Sequence, residues 1–489
     1  MPAALSKKRI EFGDFQTPLQ LAQDICSLLS RRGTRPASVL EPNCGTGAFV
    51  LACLERFPAA KQVIAADINA EYVSSLQSLL ERHPSTPAAK VFCGDFYDSD
   101  WPRLVQELED PVLVIGNPPW VTNAGLGAIG GSNLPQKCNF QNHRGFDAIT
   151  GKSNFDVSEW MLIREMEWLD GRRGTLAMLC KIAVARKVLL HAWKRAMQIA
   201  RSDIFLIDAA EHFGAAVDAC LLVADFSPCV RTTQCAVHRS LQDDTPSRVF
   251  GLYDSRLVSD VSAYERWKFL AGQGERKWRS GIKHDCAEIM ELHNMGGGFY
   301  MNGLGQHVKL EPKYLYPMLK SSQLVNWGPI PSDRWMLVPQ QFIGEDTRAI
   351  KDSAPRTWEY LQAHDRRLKQ RASSIYKGRP KFSVFGVGEY SFAPWKIAIS
   401  ALYKKLDFKV VPPVDGKPVV FDDTCYFLAC QSREEAKCLA QLLNSAPARE
   451  FYNSLIFWDA KRPITAEILR QLNLGAVARE VGLEQAVTP

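Results

Sequence analysis

Asn117-Pro118-Pro119-Trp120 is a stretch whose residue types and spacing could do chemistry. Proline locks φ and carries no N–H, so two in succession stiffen the loop. The Asn117 side chain and the Pro118 carbonyl can then be held as acceptors aimed at one point. An amino group on an aromatic ring is a poor nucleophile, because its lone pair is delocalised into the ring. Two acceptors bonding its two hydrogens favour a more tetrahedral, more nucleophilic nitrogen. Trp120 offers a flat face, and stacking of a base on an aromatic ring is worth about 1–3 kcal/mol. The plainer alternative is a rigid turn with a buried tryptophan.

The elements that must position this loop show in the hydrophobic pattern. From residue 38 to about 225, short apolar or β-branched runs alternate with longer amphipathic stretches, which predicts βαβ units and a mostly parallel sheet. Strands are predicted at Ser38 to Leu40, Val63 to Ala66, Lys90 to Cys93, Val112 to Ile115, Thr175 to Cys180, Phe205 to Asp208 and Ala219 to Ala224. The expectation is an α/β, Rossmann-like sheet of seven strands. Its fourth strand runs directly into Asn117, at the carboxyl end where open α/β sheets bind ligands.

The first strand leads into Glu41-Pro42-Asn43-Cys44-Gly45-Thr46-Gly47-Ala48-Phe49, where glycines allow a tight turn and close approach of a ligand to the backbone. Asp67, with Ile68 beside it, ends the second strand, where a carboxylate can bond ribose hydroxyls. Asp95 and Phe96 follow the third, offering a carboxylate to an adenine amino group and an aromatic edge to its ring. Each feature has a bland counterpart, since any such turn can hold two glycines and Asp95 could cap a helix; their order argues for a nucleoside site. The third glycine of dinucleotide-binding turns is absent, and Glu41 would repel a phosphate but suit a cationic amine. Cys44, inside the turn, reads as a small packing residue.

This ordered set resembles the γ-class amino-methyltransferases of bacterial restriction-modification systems, the group that includes the TaqI-like adenine enzymes. The resemblance spans the N-terminal half and implies a class I methyltransferase fold with S-adenosylmethionine as cofactor. The sulfonium methyl is already activated, so in-line positioning is the remaining demand. In that family an Asn-Pro-Pro-aromatic loop marks adenine N6 or glutamine N5 acceptors, whereas cytosine N4 enzymes usually show serine in place of the asparagine. Phe15-Gln16-Thr17-Pro18 resembles the element contacting the methionine part of the cofactor, and Asn154-Phe155-Asp156 the segment lining its pocket. The implied cofactor set is Thr17, Glu41, Asn43, Gly45, Gly47, Phe49, Asp67, Ile68, Asp95, Phe96 and Asn117. Phe213, in Glu211-His212-Phe213-Gly214, matches an aromatic that contacts the other side of a flipped base, with Trp120 stacking on the first. His212 is not needed as a base, because the methylated aminium loses its proton unaided. Asp156 and Glu159 are spaced as a capping box, which alone would explain both acids.

Between Trp120 and Ser153 the chain is glycine-rich and polar, through Gly125, Gly127, Gly130 and Gly131 to Lys137, His143, Arg144 and Lys152. A loop of that length beside catalytic residues predicts a mobile segment that orders on DNA. Beyond about Arg256 the βα rhythm is lost, and basic residues interleave with aromatics in a way that suits double-stranded DNA. The expected organisation is a catalytic domain over 1–255 and a mixed α+β target-recognition domain over 256–489. Lys277, Arg279, Lys283, Arg371, Lys377, Arg379 and Lys381 are the candidate DNA contacts. The bland alternative is solvated cations over core aromatics.

The 489 residues exceed what one core usually organises, and the net charge of +6 suits a polyanion without requiring one. Thirteen scattered cysteines without a Cys-x-x-Cys pair predict reduced core thiols and no metal site. Met1 to Ile10 has no apolar core and no run of about 18 apolar residues follows, so a cytoplasmic protein outside the membrane is expected. A monomer is expected, with any cognate restriction endonuclease on a separate chain. Two other readings stand beside the DNA enzyme: a protein glutamine N5-methyltransferase, which usually has tyrosine at the aromatic place and lacks so large a second domain, and a non-catalytic DNA-recognition subunit.

Overall fold

Ser38–Glu41, buried at every residue, is the strand β1 about which the first part of the chain is organised. The computed structural model describes residues 15–82, 88–121, 156–274, 276–326, 328 and 333–483. It divides into two compact units, residues 1–261 and 262–489. Asn154, Phe155 and the glycine-rich stretch from Gly125 to Lys152 lie outside the described residues.

In the first unit β1 is followed by β2 (Gln62–Asp67), β3 (Ala88–Cys93), β4 (Val112–Gly116), β5 (Gly174–Lys181), β6 (Ile199–Ile207), β7 (Ala219–Phe226), β8 (Gln234–His238), β9 (Arg248–Tyr253) and β10 (Arg256–Val258). They form one sheet in the order β10-β9-β8-β6-β7-β5-β4-β1-β2-β3. β1 pairs in parallel with both β2 and β4, so the winding direction reverses there and the carboxyl ends of these strands open a crevice. β7 runs antiparallel between β5 and β6.

The helices that matter for the site are α1 (Leu19–Arg31), α2 (Ala48–Arg56), α3 (Ala70–Arg82), α4 (Trp101–Gln106), α5 (Val157–Leu169), α6 (Ile182–Lys194) and α7 (Ala209–Phe213). In α1 the buried residues Leu21, Ala22, Ile25, Cys26, Leu28 and Leu29 recur at helical spacing and join the core over β1. Asp208 caps α7 by accepting from the amides of Ala210 (3.0 Å) and Glu211 (3.1 Å), and Gly214 ends it in the left-handed region.

The sheet departs from the sequence expectation in three ways. It has ten strands among the described residues rather than seven, because β8, β9 and β10 extend the β6 edge. β9 and β10 form a hairpin whose Asp254 and Ser255 both take positive φ, the geometry of a tight two-residue connection. Arg256, expected to open the second half, therefore pairs within the first unit. β6 also begins at Ile199 rather than near Phe205, across Arg201-Ser202-Asp203, a run too polar to predict as a buried strand. Asp203 is tolerated there at 1% exposure because Arg32, Arg201 (2.9 Å) and His238 (3.1 Å) surround its carboxylate.

The second unit has two sheets, built from β11 (Arg279–Ser280), β12 (Glu291–Gly296), β13 (Phe299–Asn302), β14 (His307–Lys309), β15 (Leu315–Leu319), β16 (Arg334–Leu337), β17 (Trp395–Ser400), β18 (Lys409–Val411), β19 (Val420–Phe421) and β20 (Cys425–Cys430). Six strands run β14-β13-β12-β16-β15-β19 and four run β11-β20-β17-β18. Glu291 anchors the larger sheet: burial pushes its carboxyl up, but His284 (3.4 Å) and Lys320 (2.6 Å) outweigh this and hold it at about 2. Among the described residues no helix is long and apolar enough to cross a membrane.

Candidate active site

The glycine turn after β1 is held from both sides. The Gly45 amide donates to Asp67 Oδ2 at 2.8 Å, and the Thr46 amide donates to Gln16 Oε1 at 2.9 Å. Gly45 has φ +50°, and a Cβ there would come within 2.4 Å of Gln16 Oε1, so a larger residue would be strained and would displace this brace. Asp67 Oδ1 also accepts from the Asn69 amide at 2.8 Å. The carboxylate ending β2 thus orders the turn as well as facing the space above it.

That space is a cavity of about 430 Å³ at the carboxyl ends of β1, β2 and β4. Of the residues implicated by sequence, Thr17, Glu41, Asn43, Gly45 and Phe49 line it. So do Asp67, Ile68, Asp95, Phe96, Asn117 and Pro119. Gly47, Pro118, Trp120 and Phe213 do not. Sequence reasoning missed Asn69, Tyr72, Tyr97, Val121 and Met161, which also line it; an aromatic two residues beyond Asp95 was the one available signal, for Tyr97. Tyr97 also donates its amide to Asp95 Oδ1 at 2.9 Å, within a turn and not at a helix start; the helix that follows, α4, is capped by Asp100 instead.

Glu41 is 2% exposed, and its Oε2 is buried without a hydrogen-bond partner. Burial first, then neighbouring Cys26 and Asp67, push its carboxyl well above the usual range. A carboxyl in the cavity lining with one oxygen left unpartnered fits the amine of a methionine moiety. Cys44, 5% exposed, lies in the core behind the turn.

β4 delivers Asn117 one residue past Gly116, whose backbone pairs with Met178 of β5. The Asn117 Nδ2 donates to the Phe15 carbonyl at 2.9 Å and lies 3.3 Å from Thr17 Oγ1. These bonds orient the amide and leave Oδ1 buried with no partner. Trp120, 6% exposed, donates its indole N–H to the Leu179 carbonyl at 3.3 Å. Its ring lies 5.8 Å from Phe15 and meets Phe213 edge-on at 5.1 Å. The structure therefore brings Trp120 and Phe213, far apart in sequence, into direct contact. Asp156 accepts from the Ser158 amide (3.3 Å) and hydroxyl (2.7 Å), while Glu159 is ion-paired with Lys187 at 2.9 Å.

In the second unit the two basic stretches singled out in the sequence fold onto each other. Lys283 and Phe385 exchange backbone hydrogen bonds of 2.8 and 2.9 Å, and the Tyr376 hydroxyl donates to the Lys283 carbonyl at 3.2 Å. Lys277, Lys377, Arg379 and Lys381 are exposed. Arg279 lies over the Tyr390 ring at 4.3 Å, and Lys283 is 3.6 Å from Asp285. Arg371 is half-buried and bonded within the unit: its Nε donates to the Leu368 carbonyl, its Nη1 to those of His284 and Ser383, and its guanidinium stacks on Tyr376 at 3.6 Å. It fastens the segment internally.

No protein-family model matches the chain. It is 44% identical over 478 residues to the type II methyltransferase M.NspV of Nostoc sp., covering 98% of this chain and 99% of that one. The type II methyltransferase M.XamI of Xanthomonas campestris pv. amaranthicola is 29% identical over 115 residues, 24% of this chain and 21% of its own. Among solved structures, the type IIL restriction-modification enzyme MmeI in complex with DNA shares the fold, with a TM-score of 0.52 at 10% identity over 94% of this chain; the chain spans 64% of that enzyme's length. With identity of 44% sustained from end to end, the chain belongs to the type II methyltransferases of restriction-modification systems, and S-adenosylmethionine is its methyl donor.

Proposed function

We propose that this enzyme methylates the exocyclic N6 amino group of an adenine turned out of double-stranded DNA, as the γ-class resemblance implies. The observation that carries the reading is Asn117: its amide nitrogen is committed to Phe15 and Thr17, and its Oδ1, buried and unpartnered, lies in a residue that lines the cavity. A fixed acceptor without a partner is what an aromatic amine needs to raise its nucleophilicity, and preorganisation of this kind avoids reorganisation during reaction. S-adenosylmethionine, when bound, supplies an electrophilic methyl group. Glu41 would receive its ammonium, Asp67 its ribose hydroxyls, and Asp95 with Phe96 its adenine.

Trp120 and Phe213 would hold the target base between them, which requires this ring pair to part by the thickness of a base. The first unit would carry the chemistry, and the second would act as the target-recognition domain, with Lys277, Arg279, Lys283, Lys377, Arg379 and Lys381 on the DNA backbone. The enzyme would act as a monomer, with a cognate endonuclease as a separate protein. Incubation with labelled S-adenosylmethionine and unmethylated genomic DNA, followed by digestion to nucleosides, tests the assignment. Label is expected in N6-methyladenine; label in N4-methylcytosine, in protein alone, or nowhere refutes it.

A further inference from the structure

The catalytic loop hangs on the end of β5 at three places. The Gly116 backbone pairs with Met178, the Trp120 indole bonds the Leu179 carbonyl, and the Trp120 carbonyl accepts from Lys181 Nζ at 3.0 Å. The same ammonium bonds Asp156 Oδ2 at 2.5 Å, while Asp156 Oδ1 accepts from Ser158 at the start of α5. Beside this ion pair the Val157 amide donates to the Val121 carbonyl at 2.9 Å. Val121, Val157 and Met161 all line the cavity. Lys181 therefore joins three pieces of chain far apart in sequence: the end of a central strand, the last peptide of the Asn117–Trp120 loop, and the helix forming a wall of the cavity.

We propose that Lys181 is a positioning residue for methyl transfer, which fixes the Trp120 peptide against α5 and so sets the loop relative to the cavity. The inference rests on reading Asn117–Trp120 as the catalytic loop. The Asp156 side chain is 7% exposed and that of Lys181 24%, so the carboxylate balances the Lys181 charge where water reaches it only in part, and the ammonium keeps a donor for the carbonyl. A lysine acting only as a fastener of the fold would lower stability and cofactor binding together. A positioning lysine acts on the turnover step, because small misplacements of reacting groups carry large rate penalties.

The test uses full-length Lys181→Met and Lys181→Arg beside Asn117→Ala, measuring turnover on unmethylated DNA, calorimetric binding of S-adenosylmethionine, and thermal midpoints. Lys181→Met is expected to lower kcat roughly 10- to 100-fold while the Kd for S-adenosylmethionine stays within about threefold, and the arginine variant to recover most of the rate. Unchanged kcat in Lys181→Met, a Kd that worsens in step with kcat, or an arginine variant as slow as the methionine one overturns the proposal. If Lys181→Met does not fold, the arginine variant decides: near-native kcat supports the role and a rate as low as that of Asn117→Ala overturns it. Activity retained in Asn117→Ala would instead overturn the reading of the loop. Should DNA take no label, amide exchange at Val157 decides: faster exchange in the variant supports the hold on the loop, and unchanged exchange overturns it.

Discussion

Asn117 shows how a side chain becomes an acceptor by having its other end occupied. With Nδ2 bonded to Phe15 and Thr17, rotation of the amide is blocked and Oδ1 stays buried without a partner. Asn117→Ala is expected to lower kcat by at least about 100-fold, the scale for loss of one preorganised group, with cofactor binding within a few-fold of wild type. Steady-state kinetics paired with calorimetry check this. Glu41 gives a pH prediction at the same scale. Its carboxyl is raised by burial and by Cys26 and Asp67, so in the free enzyme it stays protonated to higher pH than an ordinary glutamate. An ammonium partner favours the ionised form, so binding below that raised value expels a proton and affinity climbs with pH, levelling once the free carboxyl is ionised. Calorimetry in buffers of different ionisation heat should detect the released proton, and Glu41→Gln should abolish it.

At the scale of elements, β5 and α5 are the supports of the site. Their packing carries a cost at Glu165 of α5, which is fully buried with both carboxylate oxygens unpartnered. Burial raises its carboxyl from 4.5 to about 8. Between those values the unfolded chain has released this proton and the folded chain retains it, so stability falls as pH rises through the window, by an amount of order a few kcal/mol. Glu165→Gln should flatten that dependence and raise the thermal midpoint at pH 8 much more than at pH 5. Equal midpoint shifts at both pH values would contradict it. The strands of the first unit were mostly legible, since β1, β2, β4, β5 and β7 are short apolar runs with clear turn residues at their ends. β6 was cut short because Asp203 becomes a strand residue only once Arg32 and His238, distant in sequence, are beside it.

For the whole molecule, the chain divides into two compact units, and the basic residues of the second divide by what they bond. Lys377, Arg379 and Lys381 are exposed, whereas the Arg371 guanidinium is turned onto three carbonyls. Alanine at each of the first three should weaken DNA binding and reduce the salt slope by about one for each phosphate left without its cation. Arg371→Ala should instead lower the thermal midpoint of the second unit and leave the slope unchanged. Anisotropy titrations across salt concentrations separate the two; a slope altered by Arg371→Ala alone would reverse the assignment. Interleaved basic and aromatic residues marked this surface in the sequence, but could not tell a solvent-facing cation from one folded inward.

The order of Gly45, Asp67, Asp95 and Asn117 along an alternating chain was enough by itself to gather these residues at the end of a parallel sheet, where they line one cavity. These features are local: a turn needs its own glycines, a strand its own apolar run, and a loop its own prolines. The tertiary structure decided what depends on partners far along the chain. Phe15 orients Asn117 across 102 residues, and Lys181 reaches Trp120 across 61. Gln16 braces the turn at Thr46, and Arg371 is closed off by His284, 87 residues away. Such pairings leave no periodicity and no short motif, because each side chain's role is set by whichever distant group the fold brings to it.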